Sequence, residues 1–379
     1  MLAIQNGTVA TGTGEVFERG MVLIQDGKIV AVGHGFEAPS DAHVMDATGQ
    51  YVTPGMIDVH THLGVHELEV GKEGQDLNET TSPITPHVRA LDGIHPMDPG
   101  FKDAMKTGIT TVQVMPGSAN VIGGEMVVLK TYGNIVDQMV IKSPSGMKAA
   151  FGENPKAVYG SKDKVATRMG IAALFRQQFM KAQDYLRDLE RGHPVSRDLG
   201  LENLAKVLRG EIPLRAHAHR ADDIATVLRM RDEFNIRVTI EHCTEGHLIA
   251  DYIAEKGVRV SVGPTMSTRH KVELAHKGFH TVVTLAKAGV PVSITTDHPV
   301  VSIEYLITAT ANAVKHGLDE TTALQAITMN AAKHLEVEDR VGSLEPGKDA
   351  DVVIWTGNPL DLRNTVVATL IEGNVVYRA

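Results

Sequence analysis

Among the 379 residues are 18 histidines, several of them paired at the ends of apolar runs. The segment Pro54-Gly55-Met56-Ile57-Asp58-Val59 leads directly into His60-Thr61-His62. On a β-strand, residues i and i+2 project from one face, so His60 and His62 point together. Two imidazoles on one face chelate zinc, iron, manganese or nickel. The spacing recurs in Leu214-Arg215-Ala216-His217-Ala218-His219. His242 closes the run Val238-Thr239-Ile240-Glu241, and Asp297 closes Val292-Ser293-Ile294-Thr295-Thr296. Any one of these residues alone reads as structural. One placement repeated four times points to a shared site.

The elements that would position these residues are strands alternating with helices. Between about 53 and 340, strand-like runs at 56–59, 109–115, 214–218, 237–240, 259–262 and 292–296 alternate with amphipathic stretches at 221–233, 246–256, 281–288 and 303–316. This alternation argues for a parallel sheet with crossovers, and its count fits an α/β fold of the closed (β/α)8 TIM-barrel type. Barrel sites lie at the C-terminal ends of strands, where the histidines and Asp297 fall. The longest helix is expected from 167 to 191, where Ile171, Leu174, Phe175, Ala182, Tyr185, Leu186 and Leu189 follow a 3.6 period. Residues 1–52 read as short strands with an Asp26-Gly27 hairpin turn, and 351–377 has the same texture around Glu372-Gly373-Asn374. Neither end can build a core alone. Residues 1–52 and 341–379 are therefore expected to form one small β-sandwich domain, with 53–340 inserted as the barrel.

Composition narrows the function. Apolar residues make up 42% and charged residues 22%, an ordinary globular balance, and the net charge is −9. A mildly acidic surface argues against nucleic-acid or anionic-membrane partners. No apolar run approaches ~18 residues, and the N-terminus lacks a signal-peptide pattern, so a cytoplasmic protein is expected. The lone Cys243 excludes an intrachain disulfide and reads as a small core residue. A small-molecule substrate is the expected partner, and a homo-oligomer is compatible with this composition.

These motifs resemble the amidohydrolase superfamily, in particular the branch related to imidazolonepropionase and to barrel-type metallo-dipeptidases. The resemblance spans essentially the whole chain. It rests on the 54–62 motif and on the tail Gly342-Ser343-Leu344-Glu345-Pro346-Gly347-Lys348-Asp349-Ala350-Asp351. It implies one or two divalent metal ions, zinc foremost, with iron, manganese and nickel as alternatives. The ligands would be His60, His62, His217 and His242, and Asp297 would be both ligand and proton-shuttling base. A bridging ligand is expected after the fourth strand. Glu153 is preferred because it needs no modification; a carboxylated Lys148 is the alternative, Lys142 is poorer, and a single-metal site needs no bridge. His219 would face the same mouth and either bind substrate or orient a neighbouring group. Arg220, Tyr159, Arg168 and Arg269 are candidate contacts for a substrate carboxylate, while His298 and His247 read as supporting. Segments 64–100 and 117–135 are expected as specificity loops, and 263–271 as a cover over the mouth. The implied reaction is hydrolysis of a C–N bond in a small amide, N-acyl amino acid, dipeptide or cyclic amide by metal-activated water. Deamination of a nucleobase-like amidine and a non-catalytic scaffold are the alternatives.

Overall fold

The structure is a computed structural model and describes residues 1–162 and 164–379. Two eight-stranded sheets organise it. The first is the barrel, whose strands run in sequence order: Met56–Thr61, Ile109–Val114, Ile122–Lys130, Val140–Ala150, Leu214–Ala218, Val238–His242, Arg259–Val262 and Val292–Ile294. Thr61 bridges His298, and the His62 amide donates to the His298 carbonyl at 2.9 Å, which draws the eighth strand back to the first. The motif residue Asp58 stitches the same seam. Its buried carboxylate accepts from the Thr295 and Thr296 hydroxyls and from the Thr296 amide.

The barrel departs from a regular (β/α)8 pattern at its third strand. Ile122–Lys130 runs antiparallel to both neighbours, with Thr111 opposite Lys130 and Ile122 opposite Ala149. A parallel crossover needs about a dozen residues or more, and the link from Val114 to Ile122 is too short for one. The expectation of a loop over 117–135 is corrected accordingly. Residues 122–130 are a barrel strand buried along its whole length, and only the short link before it reaches the mouth.

The long helix is Arg168–Glu190, capped by the Thr167 side chain on the Gly170 amide. It packs Ile171, Phe175, Phe179, Ala182 and Tyr185 inward, and Phe175 stacks on Phe179 with centroids 4.3 Å apart.

The second sheet takes strands from both chain ends and is continuous. Val352–Trp355 pairs antiparallel with Tyr51–Pro54, which in turn lies parallel to Leu2–Ala10. Its hairpins turn at Asp26-Gly27 and Glu372-Gly373, all four residues with positive φ. The tail motif fastens this sheet to the barrel. Buried Asp349 takes Lys28, Lys130 and Arg340, and Lys130 also reaches Asp351 at 2.7 Å. Among the described residues, no helix is long and apolar enough to cross a membrane.

Candidate metal centre

At the C-terminal ends of the strands the structure gathers two groups of ligand atoms. In each, one atom per residue lies within 4.8 Å of the others: His60, His62 and Asp297 in one, and His217, His219 and His242 in the other. The groups adjoin, with the His60 and His242 ring centroids 4.5 Å apart.

Hydrogen bonding fixes which nitrogen of three imidazoles is free. A carbonyl can only accept, so His62 Nδ1 donates to the Met115 oxygen at 2.8 Å and His242 Nδ1 to the Gly263 oxygen at 2.8 Å. His60 Nδ1 donates to Glu241 Oε2 at 3.1 Å. In the neutral ring each Nε2 then carries a lone pair turned to the site, the arrangement in which an outer partner orients a metal-binding histidine. His219 Nδ1 pairs with the Thr244 hydroxyl at 2.7 Å. Burial above all holds His60, His217 and His219 well below the usual imidazole range and takes His242 down to about 4, so these rings are neutral at pH 7. For Asp297, burial works upward, but His242, His62 and His60 outweigh it and hold the carboxylate well below its ordinary pKa. Its Oδ1 lies 3.4 Å from His60 Nε2 and 3.3 Å from His62 Nε2. His242, Cys243 and Asp297 all have left-handed φ, at 70°, 47° and 55°, a strained backbone that collects at functional sites.

The residues present fit divalent metal. Both ring nitrogens of His217, Nε2 of His242 and Oε1 of Glu273 are buried with no hydrogen-bond partner, and buried polar atoms of this kind call for a missing ion or ligand. Neutral imidazoles and an ionised carboxylate are the donor set that divalent transition metals take.

The structure separates the two residues expected as candidate bridging ligands. Glu153 is not brought to the ligands: the chain turns at Gly152 (φ 93°) into the helix Glu153–Tyr159, and the Glu153 carboxylate instead faces the Glu273 amide at 3.4 Å. Lys148, the alternative candidate, lies beside His60. It is fully buried on the fourth strand, with Nζ 3.3 Å from His60 Nε2 and 3.2 Å from Met115 Sδ, and burial brings its pKa down to about 8. Lys142 lies elsewhere, paired with Glu336 at 2.8 Å.

A cavity of about 490 Å³ opens over the two groups and is lined by His62, His217, His219 and Asp297. The expected substrate contacts are not on its wall. Arg220 forks onto Asp222, Arg168 onto Asp223, and Arg269 donates to the Lys277 carbonyl. Tyr159 is buried with its hydroxyl 2.6 Å from Asn120 Oδ1 and 2.8 Å from the Ser82 carbonyl. The wall carries His66, His270 and Lys271 instead, which the sequence reading did not single out, and Glu273 Oε1 stands 3.7 Å from His219 Nε2. Segments 64–100 and 263–271 do reach the mouth, through His66, Asn78 and Lys271 among others. His298 is buried and accepts from the Ile303 amide through Nδ1, and Cys243 is buried.

Residues 51–376 match the amidohydrolase family. The chain belongs to that family. It is accordingly a hydrolytic enzyme acting on carbon–nitrogen bonds. The structure of an amidohydrolase from Thermotoga maritima is similar over the whole of both chains, with a TM-score of 0.97 and 42% identity. Among curated proteins, this amidohydrolase is 29% identical to the amidohydrolase tasK of Hapsidospora irregularis over 97% of its own length, but it spans only 41% of that relative. It is 25% identical to an imidazolonepropionase of Rhizorhabdus wittichii, covering 90% of this chain and 88% of the relative.

Proposed function

We propose that this amidohydrolase is a two-metal hydrolase that cleaves the C–N bond of a small N-acyl amino acid, dipeptide or cyclic amide. Lys148 carries the reading. An ammonium fully inside the barrel, with no carboxylate paired to it among the described residues, is costly unless it is neutral or modified. A pKa near 8 makes the neutral amine accessible. That amine adds to CO2: nitrogen bonds to carbon, a proton leaves, and a carbamate with two ligand oxygens results. The carbamate would lie beside His60, where the present ammonium has only a nitrogen and a sulfur within hydrogen-bond distance, with the Asp297 and Glu241 carboxylates acting on it from farther off.

One ion would be held by His60, His62, Asp297 and carboxylated Lys148, and a second by the same carbamate with His217 and His242. Bound divalent metal, zinc foremost for such donors, supplies Lewis acidity and water activated at neutral pH. Asp297, kept ionised, accepts the proton of the attacking water and returns it to the leaving nitrogen. His219, steadied by Thr244, faces the cavity and orients the substrate. Support for a small substrate comes from the cavity volume and from the imidazolonepropionase relative.

The test is turnover of metal-reconstituted enzyme on N-acyl amino acids, dipeptides and cyclic imides. The expected products are a free carboxylate and an amine, or a ring-opened acid, without free ammonia. Stoichiometric ammonia released from an exocyclic nitrogen would identify a deaminase instead.

A further inference from the structure

Outside the metal centre a second pair of imidazoles converges. His247 lies on the turn Gly246–Ile249 after the sixth strand, and His280 opens the helix His280–Lys287. Their Nε2 atoms are 3.4 Å apart, with ring planes at 81°. That separation is a long hydrogen-bond contact, one that a protonated His280 Nε2 would make to a bare His247 Nε2. It matches the distance between two ligands on one tetrahedral zinc, because Zn–N bonds of ~2.0–2.1 Å at the tetrahedral angle place the nitrogens about 3.3–3.4 Å apart.

The neighbouring hydroxyl sets the tautomer. Thr281 Oγ1 gives its single proton to the Thr244 carbonyl at 3.0 Å. It can therefore only accept from His247 Nδ1, 2.9 Å away. The proton of His247 is thus on Nδ1, and the bare Nε2 faces His280. This is the outer-partner arrangement of a metal-binding histidine. Burial and the adjacent His280 ring keep His247 below its ordinary pKa, which favours the neutral, ligating form. Nearby, the Glu245 carboxylate accepts from His276 Nδ1 at 2.8 Å and from the Ala221 amide at 3.0 Å, and its charge acts on His247. Thr244 separates this pair from the metal centre, with its hydroxyl on His219 and its carbonyl on Thr281.

We propose that His247 and His280 form a peripheral site for a divalent transition-metal ion such as zinc, completed by solvent and independent of the ions in the metal centre. Imidazole donors select zinc, copper or nickel over magnesium and calcium.

The test is equilibrium dialysis of the metal-loaded enzyme against buffered free zinc, read as zinc per chain, for wild type and His280→Ala. His280 is exposed and lies outside the catalytic cavity, so the variant should fold and keep basal activity. Wild type should take up one ion per chain beyond those of the metal centre. Loss of an outer partner alone costs ~10–100-fold in affinity, so removal of a ligand should weaken this ion by more than about 100-fold. The absence of any additional ion in wild type, or an additional ion held equally well by His280→Ala, would overturn the proposal.

Discussion

Glu241 lies wholly inside the barrel, and its replacement by glutamine isolates the control it exerts on His60. Its Oε2 accepts from His60 Nδ1 at 3.1 Å and Ser261 Oγ at 2.6 Å, and its Oε1 from Thr239 Oγ1 at 2.6 Å and His334 Nε2 at 3.0 Å. Burial would raise its pKa, but the His334 charge and the hydrogen bonds from His334 and His60 hold it well below the carboxylate range. Glutamine keeps the shape and offers one acceptor oxygen instead of two. With that oxygen toward His60, the new NH2 meets His334 Nε2, which must move its proton to Nδ1, an atom without a partner in this fold. With the oxygen the other way, the proton of His60 is driven to Nε2, the nitrogen that faces Asp297. In both orientations His60 loses its ionised partner, which costs ~10–100-fold in metal affinity. Two imidazole bonds also fall from the charged class, ~1.5–3 kcal/mol each, to the neutral class, so stability should drop by about 2–3 kcal/mol. Metal affinity by chelator competition and stability by urea unfolding read the two effects. Affinity within about twofold of wild type would refute the reasoning, given the tenfold minimum expected.

Three further outcomes are expected. Asp297→Asn should lower kcat by ~10²–10⁴-fold while metal content falls far less; a variant keeping more than about a tenth of wild-type kcat places the proton shuttle elsewhere. The metal-free enzyme should lose stability on acidification. His242 is depressed from 6.5 to about 4 in the fold, so its contribution is complete above pH 6.5 and is lost as pH falls toward 4, by roughly 3 kcal/mol. Asp58, raised to about 6 by burial, acts in the opposite sense below pH 6, but it stands against several depressed imidazoles. The Tm of the metal-free protein should therefore drop between pH 6.5 and 4, and a flat profile would contradict the neutral-imidazole assignment. Gly55→Ala would set a Cβ 2.0 Å from Thr110 Oγ1 and should destabilise the first strand by roughly 1–3 kcal/mol in urea unfolding.

The legible part of the site was the part carried by strand periodicity. His60 and His62 share a face because they are two apart on a strand, and Asp297 was visible because it ends an apolar run. Glu153 misled because the sequence does not display the turn at Gly152, which converts a strand exit into a helix start. Lys148 was harder to choose because its strand is buried from Ser145 onward. With no polar alternation there, the sequence does not say which residues face the barrel interior. The third strand was hidden inside segment 117–135, expected as a loop, because an antiparallel strand there does not fit the strand–helix alternation of a parallel barrel. The arginines proposed for substrate were spent on Asp222, Asp223 and a backbone carbonyl, partners that only the fold identifies.

On the proposed function, Lys148 becomes a carbamate shared by two ions. Its most direct measurement is the carbon-13 NMR spectrum of metal-loaded enzyme prepared in 13C-bicarbonate, recorded for wild type and Lys148→Ala at known zinc per chain. One carbamate resonance per chain is expected in wild type and none in the variant. A fully metal-loaded wild type with no carbamate resonance, or one that persists in Lys148→Ala, would contradict it.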